Sequence, residues 1–514
     1  MLNLYKMFLF AAERLPDQQA LVQGDRRYTY FQLEKEINRV ASALHKLGLK
    51  PHDRVVVMLK NRIETVVVFW AVQRLGAVFT PVNLRLSADD ILYCVNDLEA
   101  KFIVFEEAAK HLLMKQKFNE RPLFISLEEG IGDIHYGELL TSGTAEAPIP
   151  PVSDDDLAGI LYTSATSGKP KGVPRTHKNE YSSTMAHIIQ CGYRMYDRTL
   201  GIPALSHTIG LRSLLAMTLL NGVYVPLRDF DSEKALRVIA KEKISCLFLT
   251  PTLYHDLVFH PMAESTDFSE VHSIVYSAAP MPEEVIQRCE ELMRPHYFVN
   301  HYGSTEIFTF ASFPDVRKKQ GCAGKPGINQ RIRLMEPDRE GKGTRTLVTG
   351  RGEMGEILVD MSSAEAFKGY WNRPDATRKA IKEGWYLTGD VGFIDDDGDL
   401  HVVGRVDDMI LSGGENIYPQ EVEKVLSEHP DVREAAVIGE DDKRWGQIVT
   451  AFIVPRGAKL TPQALDQFCK SHKQLPGYKR PRKYVFISEV PRNSAGKILR
   501  RELRDGNYSE LTSF

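Results

Sequence analysis

The sequence predicts an α/β protein: a large N-terminal domain of two parallel-sheet α/β subdomains plus a β-rich subdomain, then a small α+β C-terminal domain. Three observations carry this prediction. As far as about residue 320, short apolar runs rich in β-branched residues alternate with longer helical patterns, the signature of strand–helix units whose strands pair in parallel. Beyond that point the strands become punctuated by Gly and Asp, as antiparallel strands with tight turns are. A chain of 514 residues is about three and a half average domains, enough for one large compound domain and an appendage.

Taken in order, residues 1–12 read as an amphipathic first helix, because Glu13 and Arg14 follow its apolar patch directly, with no small-residue cleavage site. Strand–helix pairs follow at 54–59 with 65–75, 246–249 with 253–259 and 273–276 with 283–293, with a further strand at 101–105. Residues 145–156, with three prolines and three aspartates, read as the connector between the two halves of the large domain. The β-rich part holds strands at 355–359, 392–394 and 400–404, the last two joined by the Asp395-Asp396-Asp397-Gly398 turn. The final module reads as a helix at 419–427, strands at 432–438 and 449–455, and a helix at 461–471. A boundary is expected at 405/406, and residues 507–514 read as a loose tail.

Lys+Arg 65 against Asp+Glu 68 leaves a net charge of -3, so no global basic field holds a long nucleic acid, and small ligands are the expected partners. The six cysteines are scattered without a CxxC pair, which points away from zinc sites and disulfide frameworks and toward a reducing cytoplasm. No stretch reaches the length of a membrane span, while peripheral membrane contact stays open. Gly350-Arg351-Gly352-Glu353-Met354-Gly355 fits a dinucleotide fingerprint by spacing, but a strand-like run follows it instead of the required helix, so it reads as a β-turn.

The run Leu161-Tyr162-Thr163-Ser164-Ala165-Thr166-Ser167-Gly168-Lys169-Pro170-Lys171-Gly172 packs hydroxyls, glycines and lysines behind an apolar strand. Such a set wraps phosphate oxygens, although composition alone equally allows a Ser/Thr-rich surface turn. It is not a P-loop, since Pro170 follows the first lysine. The run resembles the Y-T-S-G-T-T-G-x-P-K-G signature of the adenylate-forming superfamily, which includes acyl-CoA and aryl-CoA synthetases. Ala165 stands where that family usually has glycine, at a cost on the order of 1 kcal/mol if the position needs positive φ.

Further segments extend the resemblance from about residue 10 to residue 505, with the 4-chlorobenzoate–CoA ligase type as its nearest flavour. His301-Tyr302-Gly303-Ser304-Thr305-Glu306 resembles the Y-G-x-T-E segment, which implies Tyr302 against adenine, Thr305 toward the phosphates and Glu306, with Thr166, on the Mg²⁺ of MgATP. Read alone, a glutamate such as Glu306 is more often a solvated acid at a helix start. Asp390 in Thr388-Gly389-Asp390 and Arg405 resemble the family's ribose-binding pair. Ser277-Ala278-Ala279-Pro280 closes a strand, where small residues let a base lie on the backbone or simply pack. Pro491-Arg492-Asn493-Ser494-Ala495-Gly496-Lys497 resembles P-[RK]-x-x-x-G-K, implying that Lys497 neutralises charge at the α-phosphate.

The resemblance further implies a mobile small domain, residues 406–514, turning about Asp407 between two half-reactions. The window 470–504 holds 11 Lys/Arg against two Glu, a balance of +9, which suits the phosphates of CoA, a carrier-protein dock or a solvated face. Arg85, Gly413, Gly414, Trp445, Tyr478 and Arg480 match the CoA segments of aryl-CoA ligases. The carboxylic acid is expected among Ala186, His207, Ile209, Ser277, His301, Gly303, Phe308 and Thr309, with His207 beside the reacting carboxylate. His301 and Thr309 hint at an acid larger or more polar than benzoate. The implied activity is a two-step ATP- and Mg²⁺-dependent acid–CoA ligase. Fatty acids or a carrier-protein thiol are the alternative partners, and a homodimer is compatible with all of these.

Overall fold

The computed structural model describes residues 2–163, 169–336, 346–457, 460–492 and 498–511. The chain divides into two compact units: residues 1–331 with 360–384, and residues 332–359 with 385–514.

The first unit holds two sheets. One runs in the order Ile134–His135, Leu123–Ser126, Phe102–Phe105, Arg54–Met58, Val78–Pro81, Leu157–Thr163, Lys171–Thr176. It is parallel up to its last pair, which is an antiparallel hairpin with Thr163 opposite Lys171. The parallel centre of the other sheet runs Tyr297–Tyr302, Ser273–Tyr276, Cys246–Leu249, Arg198–Gly201, Val223–Pro226, Gln19–Gln23. Its antiparallel additions are Arg26–Thr29 at one end and Ala311–Phe313 with Cys322–Pro326 at the other. The central strands are buried on both faces, as unbroken apolar runs in parallel sheets must be.

Apolar character all round a helix demands burial on all sides. Ile63–Arg74 meets that demand: every residue is buried, and it packs against Val78–Pro81 of one sheet and Gln19–Gln23 of the other. Thr208–Leu219 is buried in the same way against Arg198–Gly201, Val223–Pro226 and the helix His177–Gln190. His177–Gln190 begins at a reciprocal cap in which the Thr176 hydroxyl accepts from Asn179 N and the Asn179 side chain accepts from Thr176 N.

The second unit combines four strands, Ile332–Met335, Gly355–Asp360, Trp385–Ile394 and Leu400–Arg405, with the C-terminal α+β module. In that module Gly446–Pro455 pairs antiparallel with Val432–Asp442 and parallel with Lys483–Phe486, under the helices Pro419–Ser427 and Pro462–Ser471. Compactness therefore groups the β-rich strands with the C-terminal module. The glycine-rich turn runs directly into the strand Gly355–Asp360 and not into a helix. The expected loose tail is corrected as far as Leu511: Leu511 N donates to Phe486 O at 2.9 Å, and Tyr508 packs edge-on against Phe452. All six cysteines are free and buried, and among the described residues no helix is long and apolar enough to cross a membrane.

Candidate active site

Strand ends carry several of the predicted residues of the first unit. Thr163 and Lys171 face each other at the neck of the hairpin, whose connecting residues Ser164, Ala165, Thr166, Ser167 and Gly168 lie outside the described residues. The neck is pinned from outside: Tyr162 OH donates to Asp97 Oδ2 at 2.6 Å, Trp371 N donates to Gly172 O at 2.9 Å, and Trp371 Nε1 donates to Asp97 O at 3.0 Å.

Residues 303–309 form a tight turn between the strands Tyr297–Tyr302 and Ala311–Phe313. Ser304 N donates to Ile307 O, and Phe310 N donates to Tyr302 O. Gly303 is required there, since a Cβ would lie 1.7 Å from Phe308 O. Glu306 is not a solvated helix-start acid. It is buried in this turn, and its Oε1 accepts from Tyr370 OH at 2.7 Å. The Lys171 ammonium lies 4.2 Å from the centroid of the same tyrosine ring. A hard carboxylate beside a lysine at the neck of a hydroxyl-rich loop fits Mg²⁺ carried on a nucleotide phosphate, so Glu306 would hold the ion, which would neutralise phosphate charge there. Tyr302 packs edge-on to Phe310, and Thr305 is half-buried in the same turn.

Ala278, Ala279 and Pro280 are exposed at the end of the strand Ser273–Tyr276, and Ser277 is half-buried. Ala278 has φ of +78°, a left-handed conformation that costs a residue with a Cβ about 1 kcal/mol. Strain of this kind gathers where a ligand is gripped. Ala278→Gly is expected to stabilise the protein by about 0.5–1 kcal/mol, read as a higher midpoint in urea unfolding.

Behind the turn lies a buried ring cluster. His301 Nε2 sits 3.1 Å from Thr309 Oγ1, and its ring tilts against Phe308 at 4.5 Å. Burial, with Arg212 adding to it, lowers the His301 pKa to about 3, so the imidazole is neutral at working pH. His187, which sequence reasoning missed, stacks on Phe248 at 4.8 Å and meets His301 edge-on at 6.1 Å. Burial, then His301, holds it well below the usual range. His301 Nδ1 and His187 Nε2 are buried without a hydrogen-bond partner among the described residues. Ala186 and Ile209 are buried, and His207 immediately precedes Thr208–Leu219, its imidazole pKa lowered by burial.

Beneath the cluster, Glu180 takes Arg175 Nε at 2.7 Å and Arg212 Nη2 at 2.8 Å on its two oxygens. Arg175 also donates to the carbonyls of Glu306 at 2.9 Å and Glu365 at 2.7 Å. Arg212 lies 4.4 Å over the Phe308 ring. This network fastens the turn carrying Glu306 to the helix carrying Ala186 and His187. Arg85, at the foot of a short turn, is exposed on the same unit.

In the second unit Asp390 and Arg405 are cross-strand partners joined at 2.8 Å. Gly389, at φ of +70°, makes room for the guanidinium, which a Cβ would meet at 2.7 Å. Asp407 is exposed, while Asp408 pairs with Arg500 at 3.6 Å and Arg504 at 3.4 Å. Gly413 N donates to Trp445 O at 2.8 Å, and the indole covers Gly413 while remaining 42% exposed. Gly414 and Tyr478 are also exposed. Within the basic window, Arg480 is paired with Asp466, Lys479 with Glu421 at 2.8 Å and Lys483 with Glu440 at 2.9 Å. Acids outside the window thus neutralise much of its charge. Lys497 lies outside the described residues.

With this geometry in view, likeness to known proteins is extensive. The family described as AMP-binding enzyme matches residues 8–371, and the AMP-binding enzyme C-terminal domain matches residues 421–497. The chain is 31% identical to 4-chlorobenzoate–CoA ligase of Arthrobacter sp over 516 residues, covering 98% of this chain and 94% of that one. It is 32% identical to the long-chain-fatty-acid–CoA ligase FadD13 of Mycobacterium tuberculosis, covering 95% of each. Among solved structures, o-succinylbenzoate CoA synthetase of Bacillus subtilis in complex with its acyl-adenylate superposes with a TM-score of 0.85 at 29% identity, over 98% of this chain and 99% of that one. ATP, Mg²⁺ and CoA are the ligands of such enzymes. The chain belongs to the AMP-binding enzyme family of the adenylate-forming superfamily, and it is an AMP-forming acyl-CoA synthetase.

Proposed function

We propose that the acid this synthetase activates is aromatic, benzoate-like, and larger or more polar than benzoate itself. The observation that carries this reading is the neutral His301 imidazole, hydrogen-bonded to Thr309 and set among Phe248, Phe308 and His187. Rings of this kind meet an aromatic acid edge-to-face. The unpartnered nitrogens of His301 and His187 can exchange a hydrogen bond with a hydroxyl, amino or second carboxyl group. A fatty chain would leave both unsatisfied, at about 1–3 kcal/mol each.

In the same reading Thr163, Lys171 and residues 164–168 hold the ATP phosphates, with Thr166 assisting Glu306 on Mg²⁺. Asp390 and Arg405 take the ribose, and residues 278–280 with Tyr302 take adenine. Arg85, Gly413, Gly414, Trp445 and Tyr478 serve CoA, with Arg480 reaching it only by leaving Asp466. The small domain turns about Asp407 between adenylation and thioester formation. The acyl-adenylate is the chemical reason for two steps, since a thiol attacks a mixed anhydride far more easily than a carboxylate. Six free buried cysteines support a cytoplasmic setting.

The likeness to FadD13 favours a second reading, a medium- or long-chain fatty acid. Comparing kcat/KM across benzoate, 4-chlorobenzoate, hydroxybenzoates, a dicarboxylic acid and octanoate separates the two. A polar-substituted aromatic acid is expected to exceed benzoate by about tenfold or more. Benzoate as the clear winner defeats the polar-pocket reading, and octanoate as winner establishes the fatty-acid one.

A further inference from the structure

Tyr370 touches both charged groups of the phosphate end of the site and belongs to neither the hairpin nor the 303–309 turn. Its hydroxyl donates to Glu306 Oε1 at 2.7 Å, and its ring face receives the Lys171 ammonium at 4.2 Å from the centroid. The tyrosine is 7% exposed and cannot drift. Its backbone N donates to Thr377 Oγ1 at 2.9 Å, its ring packs edge-on to Phe367 at 5.1 Å, and Trp371 beside it is tied to Gly172 and Asp97.

A lysine and a glutamate placed to meet MgATP face an opposing requirement. Each must keep its charge available to the ligand, yet each attracts the other. A neutral aromatic residue resolves this, because the ring face draws a cation while the phenolic hydroxyl donates to an anion. We propose that Tyr370 is a positioning residue that orients the Glu306 carboxylate for Mg²⁺ and holds Lys171 at the neck of the phosphate hairpin. This rests on the reading of Glu306 as the metal carboxylate. Removing the hydroxyl leaves a buried carboxylate oxygen without its donor and frees the side chain to rotate. Loss of such a supporting contact lowers metal affinity by about 10–100-fold.

The test is calorimetric binding of ATP to Tyr370→Phe at graded Mg²⁺, alongside the Mg²⁺ dependence of AMP formation. The Mg²⁺ concentration giving half-maximal ATP binding is expected to rise about tenfold or more, with binding restored at saturating Mg²⁺. Wild-type Mg²⁺ dependence in Tyr370→Phe overturns the proposal, as does a fall in kcat with an unchanged Mg²⁺ requirement, which is what a purely structural role would produce. Glu306→Gln separates the two layers. If it leaves Mg²⁺-dependent binding untouched, the reading of Glu306 fails; if it removes that dependence while Tyr370→Phe does not, only the positioning role fails. Should Tyr370→Phe not fold, Tyr370→His, which keeps a ring and a donor, is expected to shift the Mg²⁺ requirement in the same direction by a smaller factor. An unshifted requirement in that variant overturns the proposal equally.

Discussion

Replacing Glu180 by alanine is expected to cost about 3–5 kcal/mol of stability and to abolish AMP formation even in the fraction that remains folded. Arg175 and Arg212 are essentially inaccessible to solvent and share this one carboxylate. Its loss strands two guanidiniums where water cannot compensate them. The damage reaches the site because Arg175 holds the Glu306 carbonyl and Arg212 supports the Phe308 ring. Burial pushes the Glu180 pKa up, but the guanidiniums of Arg212 and Arg175 outweigh it and hold the carboxyl below its ordinary range. A depressed carboxyl contributes stability above its unfolded pKa of about 4.3, and that contribution disappears as pH falls through the lower folded value. Urea unfolding should show the full penalty at pH 7. The gap between wild type and Glu180→Gln should narrow as the solution is acidified below about pH 4. An unchanged midpoint at pH 7 would remove the network from the account of how the turn is held.

What was legible in the sequence and what was not follows from the range of the interactions. The parallel strands read from the sequence and the helix Ile63–Arg74 are written in local periodicity and emerge within a residue or two of their observed bounds, whereas the C-terminal strands run on past their apolar cores, to Asp442 and from Gly446. Glu306 was recognisable through its motif, but its burial was not, because the tyrosine that meets it lies 64 residues away. Glu180 and His187 were missed for the same reason, although a signal existed. Glu180, Ser183, Thr184 and His187 lie at helical spacing on one face, and all four are buried. A polar stripe that a helix turns inward calls for partners, and here the two buried arginines meet Glu180 while His187 keeps one nitrogen unpartnered among the described residues. The basic window hid its partners in the same way. A count along the chain sees a basic window, whereas Asp466, Glu421 and Glu440 fold back onto it from other elements. The tail was misread because its anchors, Phe452 and Phe486, belong to strands more than twenty residues upstream.

Lys497→Ala is expected to lower adenylate formation by about 10²–10³-fold while leaving thioester formation from supplied acyl-adenylate largely intact. The described residues on either side of 493–497 are tied to one another. Arg492 and Ile498 form an antiparallel bridge, and Leu499 N donates to Pro491 O at 2.8 Å, closing the neck of the segment. Two residues beyond that bridge, Arg500 is buried against Glu423 and the Val437 carbonyl at 3.1 Å and reaches Asp408, next to the proposed hinge. Substitution at the α-phosphorus occurs only in the first half-reaction, whereas the thiol attacks the acyl carbon and expels AMP, so a cation placed for the phosphorus-centred transition state is not required for the second step. Pyrophosphate release and CoA-dependent consumption of acyl-adenylate, measured separately, report the two steps. A parallel loss of both would mean that Lys497 stays at the site throughout, and rotation about Asp407 would then have no chemical purpose in this enzyme.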